Sequence, residues 1–422
     1  MPTVATLPTA TTTTATVNTG DFRTAVKHFA AAIPTGKVNG IPRLISIEPN
    51  NNGTMTVFYS SYETYAAVTM PAQTTAASSL KVEGRAFNKM LTTALGGSSK
   101  SINGADLELS FNDDKLTFEC DGVQINVAGV DNEESAEYDS YRAGVLKAED
   151  KANGVTLATV AATDIVRMYN SVARSAGTDN TLPMLTGINM AVEDNQLVFT
   201  ATDRFRLSRL AIDADISAQA DEFDGHLVPA PAYKTLVSLL PNDDTAVRIY
   251  LSNDDFLVFE TDTVTFGTRM LDADFPATSQ LIGKDFNHVI KFDRKELEKA
   301  VTKLTKLTVD QSSVTFTSTS NGVILEAQIF ANEPESRATV ELEAKETAYV
   351  EDYETMHFRL NGEFMKDAIK SYDGETVTLA LSQPSRPMQM LEGNLTVENG
   401  DDTLNLSAHD HVELLMPVRL PG

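Results

Sequence analysis

The chain has one cysteine, Cys120, and no tryptophan among its 422 residues. A lone thiol excludes an intramolecular disulfide framework and a four-thiolate zinc site, and it fits a reducing cytoplasm. Basic residues are scarce as well: 34 Lys and Arg stand against 59 Asp and Glu, a formal net charge of −25. Such a molecule repels nucleic acid and anionic membranes as a whole, unless its few cations gather on one surface. No run approaches the ~18 apolar residues of a membrane-spanning helix, and the N-terminus lacks the basic-then-apolar order of a signal peptide. A GxxxxGK[ST] phosphate loop, a GxSxG elbow and an HExxH pair are all missing. The usual nucleotide, acyl-transfer and metalloprotease chemistries therefore have no seat, and neither an enzymatic activity nor a cofactor is expected.

Histidine offers one metal candidate, His409-Asp410-His411, because residues two apart on a strand share a face. With no third ligand at a persuasive spacing, a polar turn or strand edge is the better reading, and no metal is expected. The sequons at Asn52, Asn394 and Asn405 read as chance matches in a chain without an export signal.

At about 150 residues per domain the length predicts about three domains, and 42% hydrophobic content can give each a core. Residues 1–20, rich in Thr and Ala and uncharged, read as a mobile tail. Residues 131–154, dense in charge, read as a surface connection, and a shorter junction falls near Leu281–His288. Alternating runs such as LELSF, KLTFEC, QLVFTAT, AVRIYL, FLVFET, SVTFTST, TVTLAL and TLNLSA predict half-buried antiparallel strands. Amphipathic helices are predicted to begin near Asp21, Thr163 and Asp293, and again near Glu83, Pro229 and Asn361. Thr163-Asp164 and Asp293 are suitable N-caps. The same order recurs with a period of roughly 130 to 145 residues, so the expectation is three duplicated α+β domains, 21–152, 153–284 and 285–422, each with sheets on one side of two helices.

The cations are sorted onto these helices. In DRKELEKAVTKLTKL, Lys295, Lys299, Lys303 and Lys306 fall within a sector of roughly 80°, opposite Leu297, Ala300, Val301, Leu304 and Leu307. Weaker pairs recur at spacings of four or seven: Arg23 with Lys27, Arg85 with Lys89, Arg167 with Arg174, and Lys366 with Lys370, while the second helix of the middle unit offers only Lys234. For any one helix, lysine is simply a common solvent-facing residue. Repetition in so acidic a chain points instead to an aligned positive surface whose natural partner is phosphate. With no cluster of Asn, Gln and Arg to read bases, contact is expected to ignore sequence.

Three segments then carry a resemblance. TLPMLTGINMAVEDNQLVFTATDRFRLSRL at 181–210, TRMLDADFPATSQL at 268–281 and the terminal LLMPVRLPG occur in the order and at the spacing of the bacterial DNA polymerase III β sliding clamp family, which the chain resembles over about residues 21–422. The resemblance implies three similar domains with two inner helices each and outer antiparallel sheets, two chains closing head to tail as a homodimeric ring around double-stranded DNA. Helices ~8–10 Å apart around such a wall leave a bore of roughly 35 Å, wide enough for a hydrated duplex. The implied function is that of a processivity factor, acting in DNA replication in the bacterial cytoplasm. The DNA-facing residues would be Arg23, Lys27, Arg85, Lys89, Arg167, Arg174, Lys234, Lys295, Lys299, Lys303, Lys366 and Lys370.

The resemblance also implies a pocket, between the middle and last domains, that receives short peptide motifs from DNA polymerase, the clamp loader and repair proteins. Carried over by position, it comprises Leu185, Thr202, Arg204, Phe205, Arg206, Leu207, Pro276, Gln280, Leu281, Leu414, Leu415, Met416, Pro417, Val418, Arg419 and Leu420. Leu, Met and Pro would form an apolar cleft, and Thr202, Arg206 and Arg419 would hold a partner's backbone or carboxylate. Without the resemblance, the same residues read as ordinary core and terminal strand. Gln280 stands where the family commonly has a basic residue, and Gln311 falls near an apolar wall position. In the first domain only PRLISI at 42–47 faintly resembles the family. Its ring contacts are expected at Ile125 and Val127, against Leu304 and Leu307 of the neighbouring chain. This divergence suits a bacteriophage-encoded or accessory clamp as readily as a host's main one. The other readings are a clamp-fold decoy or inhibitor-resistance variant, a hydrolase using His409 and His411, and a structural virion protein.

Overall fold

The computed structural model describes residues 12–33, 43–96, 104–112, 114–120, 122–148, 154–218, 225–252, 256–308, 313–330, 333–350, 354–392, 397–399, 404–406 and 410–418. Its elements are helices and antiparallel strands, an α+β chain. The first passage runs β1 (Thr13–Asn18), α1 (Thr19–Ala32), β2 (Leu44–Pro49), β3 (Thr54–Ser60), β4 (Thr64–Thr74), β5 (Leu80–Glu83), α2 (Gly84–Ala94), β6 (Asp106–Asn112), β7 (Lys115–Cys120) and β8 (Val123–Ala128), followed by α3 (Glu133–Ala148). The second runs β9 (Val155–Ala161), α4 (Ala162–Val172), β10 (Gly187–Glu193), β11 (Gln196–Thr202), β12 (Arg206–Asp213), β13 (Asp215–Ile216), β14 (His226–Pro229), α5 (Ala230–Leu239), β15 (Ala246–Leu251), β16 (Phe256–Glu260) and β17 (Val264–Arg269). The third begins with β18 (Asp285–Phe286), β19 (His288–Asp293), α6 (Arg294–Leu307), β20 (Ser313–Thr319), β21 (Gly322–Phe330), β22 (Glu333–Glu343), β23 (Glu346–Tyr349) and β24 (His357–Asn361). It ends with α7 (Gly362–Lys370), β25 (Thr376–Leu381), β26 (Met388–Glu392), β27 (Val397–Asn399), β28 (Leu404–Leu406) and β29 (His411–Leu415). Six helices start within two residues of their predicted positions.

Contacts group the chain into two compact units, the first made of Met1–Thr163, Ser217–Ala220 and Pro231–Met270, the second of Asp164–Ile216, Asp221–Ala230 and Leu271–Gly422. In the first unit the strand order is β9-β15-β16-β17-β4-β1-β6-β7-β8, with β3 joining β4 to β2 and β5 pairing β2. The pairing of β17 with β4 joins strands of the second passage to those of the first. Gly267 faces Tyr65 in that pairing, and a Cβ there would run into the tyrosine ring. Phe22, Val26 and Phe29 on α1 and Phe87 and Leu91 on α2 form the core beside these strands. The Phe22 and Phe87 rings meet edge to face at 6.2 Å.

Two expectations for this unit are corrected. Residues 13–20 are not a tail: β1 lies between β4 and β6, paired on both sides, and Ala15 and Val17 are buried. Threonine without charge is compatible with a mobile segment, but a β-branched residue beside Ala and Val is also a strand former. Residues 1–11 lie outside the described residues. The stretch after Asp131 is not a loose connection either, because α3 packs on β2 and β3. Its Tyr138 is fully buried and donates its hydroxyl to the Phe58 carbonyl at 2.9 Å. Arg142 pairs with Glu48 at 2.7 Å and Lys81 with Asp139 at 2.6 Å, which pins the middle of the helix.

In the second unit a nine-stranded sheet runs β14-β10-β11-β12-β29-β26-β25-β19-β23, beside a four-stranded sheet β22-β21-β20-β24 and a small sheet β18-β28-β27. The junction expected near Leu281–His288 thus contains a short strand whose Phe286 is buried. α6 and α7 pack on each other and around Phe292, Phe316, Leu325 and Leu379. Asp293 caps α6 as predicted, its carboxylate accepting from Lys295 N and Glu296 N. Those bonds, with the nearby Lys345 ammonium, hold the Asp293 carboxyl below its ordinary range. Thr163 and Asp164 are not caps: α4 already begins at Ala162, so both sit in its first turn.

Candidate functional site

The second unit builds a surface from three segments. The first is the hairpin between β11 and β12. Thr202 Oγ1 donates to the Arg206 carbonyl at 2.7 Å and accepts from Arg204 N at 3.2 Å, while Asp203 Oδ1 accepts from Phe205 N and Arg206 N at 2.9 and 3.0 Å. Arg204 takes a positive φ of 79°, tolerated because these bonds fix the turn. The outcome is a tight loop with Phe205 thrust out, 58% exposed. The second segment is the chain after β29. Met416 N donates to the Phe205 carbonyl at 2.9 Å and Val418 N to the Arg359 carbonyl at 2.8 Å, which leaves both side chains exposed. The third is the stretch after β17, ending in a 3-10 turn, Ser279–Leu281, with Leu281 exposed. Its neighbour Ile282 packs on the cluster that contains Leu207 and Leu414.

Arg206 is committed inside the protein. Its Nε donates to Asp203 Oδ2 at 3.0 Å, one terminal nitrogen donates to Asp367 Oδ2 at 3.1 Å, and the guanidinium lies 4.3 Å from the Phe364 ring centre. Thr202 and Arg206, expected to hold a partner, are engaged by these bonds in shaping the loop and tying it to α7. Phe364 and Asp367, three apart on α7 and thus on one face, were not among the residues the sequence singled out. Neither was a buried polar chain. Ser175 Oγ meets Ser208 Oγ at 2.5 Å, Ser208 donates to Glu413 Oε2 at 2.5 Å, and His411 Nε2 lies 3.2 Å from Glu413 Oε1 and 3.3 Å from Ser371 Oγ. His411 is therefore neither at a turn nor at an edge: β29 is interior, between β12 and β26. His409 lies outside the described residues. Alternation of small polar and apolar residues on β12 was the only sequence signal for this chain.

The cationic face is strongest on α6. Leu297, Ala300, Val301 and Leu304 are buried, while Lys295, Lys299, Lys303 and Lys306 are exposed. None of these four makes an ion pair among the described residues. Lys27, Lys89, Arg167, Arg174, Lys234 and Lys370 are exposed too. Several of the cations are engaged within the protein. Arg85, expected to face DNA, donates its Nε to the Ile33 carbonyl at 2.8 Å at the end of α1. Lys366 pairs with Glu363, Lys370 reaches Glu298 at 3.6 Å, Arg174 donates to the Asp367 carbonyl at 3.4 Å, and Arg23 to the Gly96 carbonyl at 3.3 Å.

Residues 159–277 match the DNA polymerase III beta subunit, central domain. Beta sliding clamp of Staphylococcus aureus is 23% identical over 324 residues, 76% of each chain. Beta sliding clamp of Streptococcus pneumoniae is 25% identical over 254 residues, 60% of this chain and 62% of that one. The fold is shared with the DNA polymerase sliding clamp of Bacillus subtilis, at a TM-score of 0.76 and 18% identity over 97% of this chain and all of the other. The beta subunit of Thermotoga maritima gives 0.74, with 19% identity and the same coverage. The central part of this chain thus matches the β sliding clamps in sequence, and the chain shares their fold.

Of the pocket positions carried over from the clamps, Leu185, Leu207, Leu414 and Leu415 are buried, the last three in core clusters. Phe205, Leu281, Met416 and Val418 form the exposed apolar set, with Arg204, Pro276, Gln280 and Pro417 beside them in the chain. Arg419, Leu420 and Gln311 lie outside the described residues. Of the expected ring contacts, Ile125 and Val127 sit half-buried on β8, the last strand of its sheet, and Val123 on the same strand is 60% exposed. Leu304 is corrected: at 1% exposure it belongs to the core of its own unit and is closed to a second chain. Leu307, one turn on, is exposed.

Proposed function

We propose that this chain is a DNA sliding clamp. Two copies close head to tail, the ring surrounds double-stranded DNA without reading its sequence, and a DNA polymerase and other partners are tethered through the groove at Phe205, Leu281, Met416 and Val418. The observation that carries this reading is the set of exposed lysines on α6, without ion pairs among the described residues and opposite the buried Leu297, Ala300, Val301 and Leu304, in a chain of net charge −25. An acidic body discourages adhesion to phosphate, whereas a cationic lining attracts the duplex through counterion release and leaves it free to slide. No helix among the described residues is long and apolar enough to cross a membrane. The setting that fits is the bacterial cytoplasm, on DNA. The proposed ring also gives β8 and β22 a use, since each ends its sheet with one side unpaired among the described residues and an open edge invites another strand.

The test is topological. Loaded by a clamp loader onto a nicked circular plasmid, the protein is expected to stay through gel filtration at high salt and to leave once the plasmid is cut. Retention equal on circles and linear fragments would overturn the proposal. Exchanging Lys299 and Lys303 for Glu is expected to impair loading on the circle while leaving the fold and peptide binding unchanged.

A further inference from the structure

A cavity of about 350 Å³ lies in the second unit beneath the 273–279 segment. It is bordered by Asn189, Glu193, Thr200, Gly225, Asp274 and Pro276, among others, and no Lys, Arg or His among the described residues lines it. Asn189 and Thr200 are register partners on β10 and β11, and Thr200 shares its face with Thr202, two residues on. Pro276 belongs both to this cavity and to the carried-over groove positions. The cavity therefore adjoins the groove, and resting on the groove reading above, we propose that it receives a cationic side chain, lysine or arginine, from the bound partner peptide.

The chemistry of the wall selects that guest. Thr200, 6% exposed, lines the cavity, and its hydroxyl makes no hydrogen bond among the described residues. The Asn189 amide likewise makes no hydrogen bond among the described residues. Gly225, at a φ of +67°, keeps the space in front of Asn189 open, since a Cβ there would stand 3.2 Å from Asn189 Oδ1. Glu193 gives one oxygen to Arg209 at 3.0 Å and retains the other, and Asp274 forms no ion pair among the described residues. An anion would meet two carboxylates, and an apolar group would strand the amide and hydroxyl without partners. An ammonium or guanidinium brings only donors, and hydroxyl, amide and carboxylate oxygens are what it needs.

Fluorescence polarisation on the full chain tests this. The probe is a labelled synthetic peptide with one leucine and one phenylalanine anchor in a neutral Ala and Ser background, and in a companion series Lys or Glu is walked through the flanking positions. At one position Lys is expected to bind about five- to tenfold tighter than Glu, and that ratio is expected to collapse towards one in Asp274→Asn and in 0.5 M salt. Thr200→Val, similar in shape, is expected to reduce the ratio without altering the urea midpoint. If the neutral peptide binds and Met416→Asp abolishes it, but no position prefers Lys or the preference survives Asp274→Asn, the cavity assignment is overturned and the groove stands. If the neutral peptide does not bind, the groove falls and the cavity assignment with it.

Discussion

His288 is fully buried on β19, its Nε2 2.9 Å from Thr347 Oγ1 and its ring edge-on to Tyr349 at 5.9 Å. Burial pushes the imidazole down to about 4. An exposed imidazole titrates near 6.5, so between those values the unfolded chain holds the extra proton and the folded chain does not. The stability contributed by the neutral ring is complete above about pH 6.5 and drains as the pH falls towards 4. Urea unfolding of the wild type and of His288→Gln is expected to show an advantage for the wild type at pH 7 that shrinks by about 2 kcal/mol by pH 4.5. An advantage that does not change with pH would refute the assignment. Arg206 illustrates a different lesson at the same scale. Its position in the sequence marks it for partner binding, but Asp203, Asp367 and Phe364 hold it on three sides. A charge that is already paired shapes a site more than it recruits a guest.

Among elements, α3 departs most from its sequence. Residues 133–148 carry no apolar stripe, and periodicity gave no reason to expect a packed helix there. One side chain anchors it: Tyr138 fits against Phe58 with ring centres 6.2 Å apart, and burial drives its phenol pKa well upward. Tyr138→Ala is expected to cost about 3–5 kcal/mol, the range for removing a buried aromatic side chain. The Arg142 peptide bond should become a rapid trypsin site, whereas an unchanged melting temperature and cleavage pattern would mean that the helix is not docked. Elements with strong periods were legible: α6 matched in cap, lysine face and apolar face apart from the exposed Leu307, and β7, β15 and β20 follow their alternating runs, whereas β25 is a strand buried on both faces. What was illegible depended on distant partners. β1 is a strand because β4 and β6 flank it, and Arg85 is a cap because α1 ends beside it; neither fact is local to its own sequence. At the groove, the segments were legible through the family resemblance, but the division into exposed Phe205 and Met416 and buried Leu207 and Leu414 required the alternation of paired strands.

At the scale of the whole molecule, the proposed ring makes a prediction about mass. A contact between two unlike surfaces, β8 of one copy with β22 of another, propagates unless its rotation closes, and closure after two copies gives a finite particle. Light scattering is expected to give about twice the 45.8 kDa chain mass at micromolar concentration. Ile125→Lys with Val127→Lys, on the open edge of β8, is expected to yield a folded monomer; a wild type that remains monomeric would count decisively against ring closure. The proposed partner surface has its own consequence. Thr202, Asp203 and Met416 fasten the Phe205 loop before anything arrives, so the receptor is preorganised and the entropic cost of docking falls on the visiting segment. Stiffening the visitor, by cyclisation for instance, should therefore strengthen its hold more than any new contact at its margins, and rival visitors can succeed one another on a seat that has no need to be rebuilt between them.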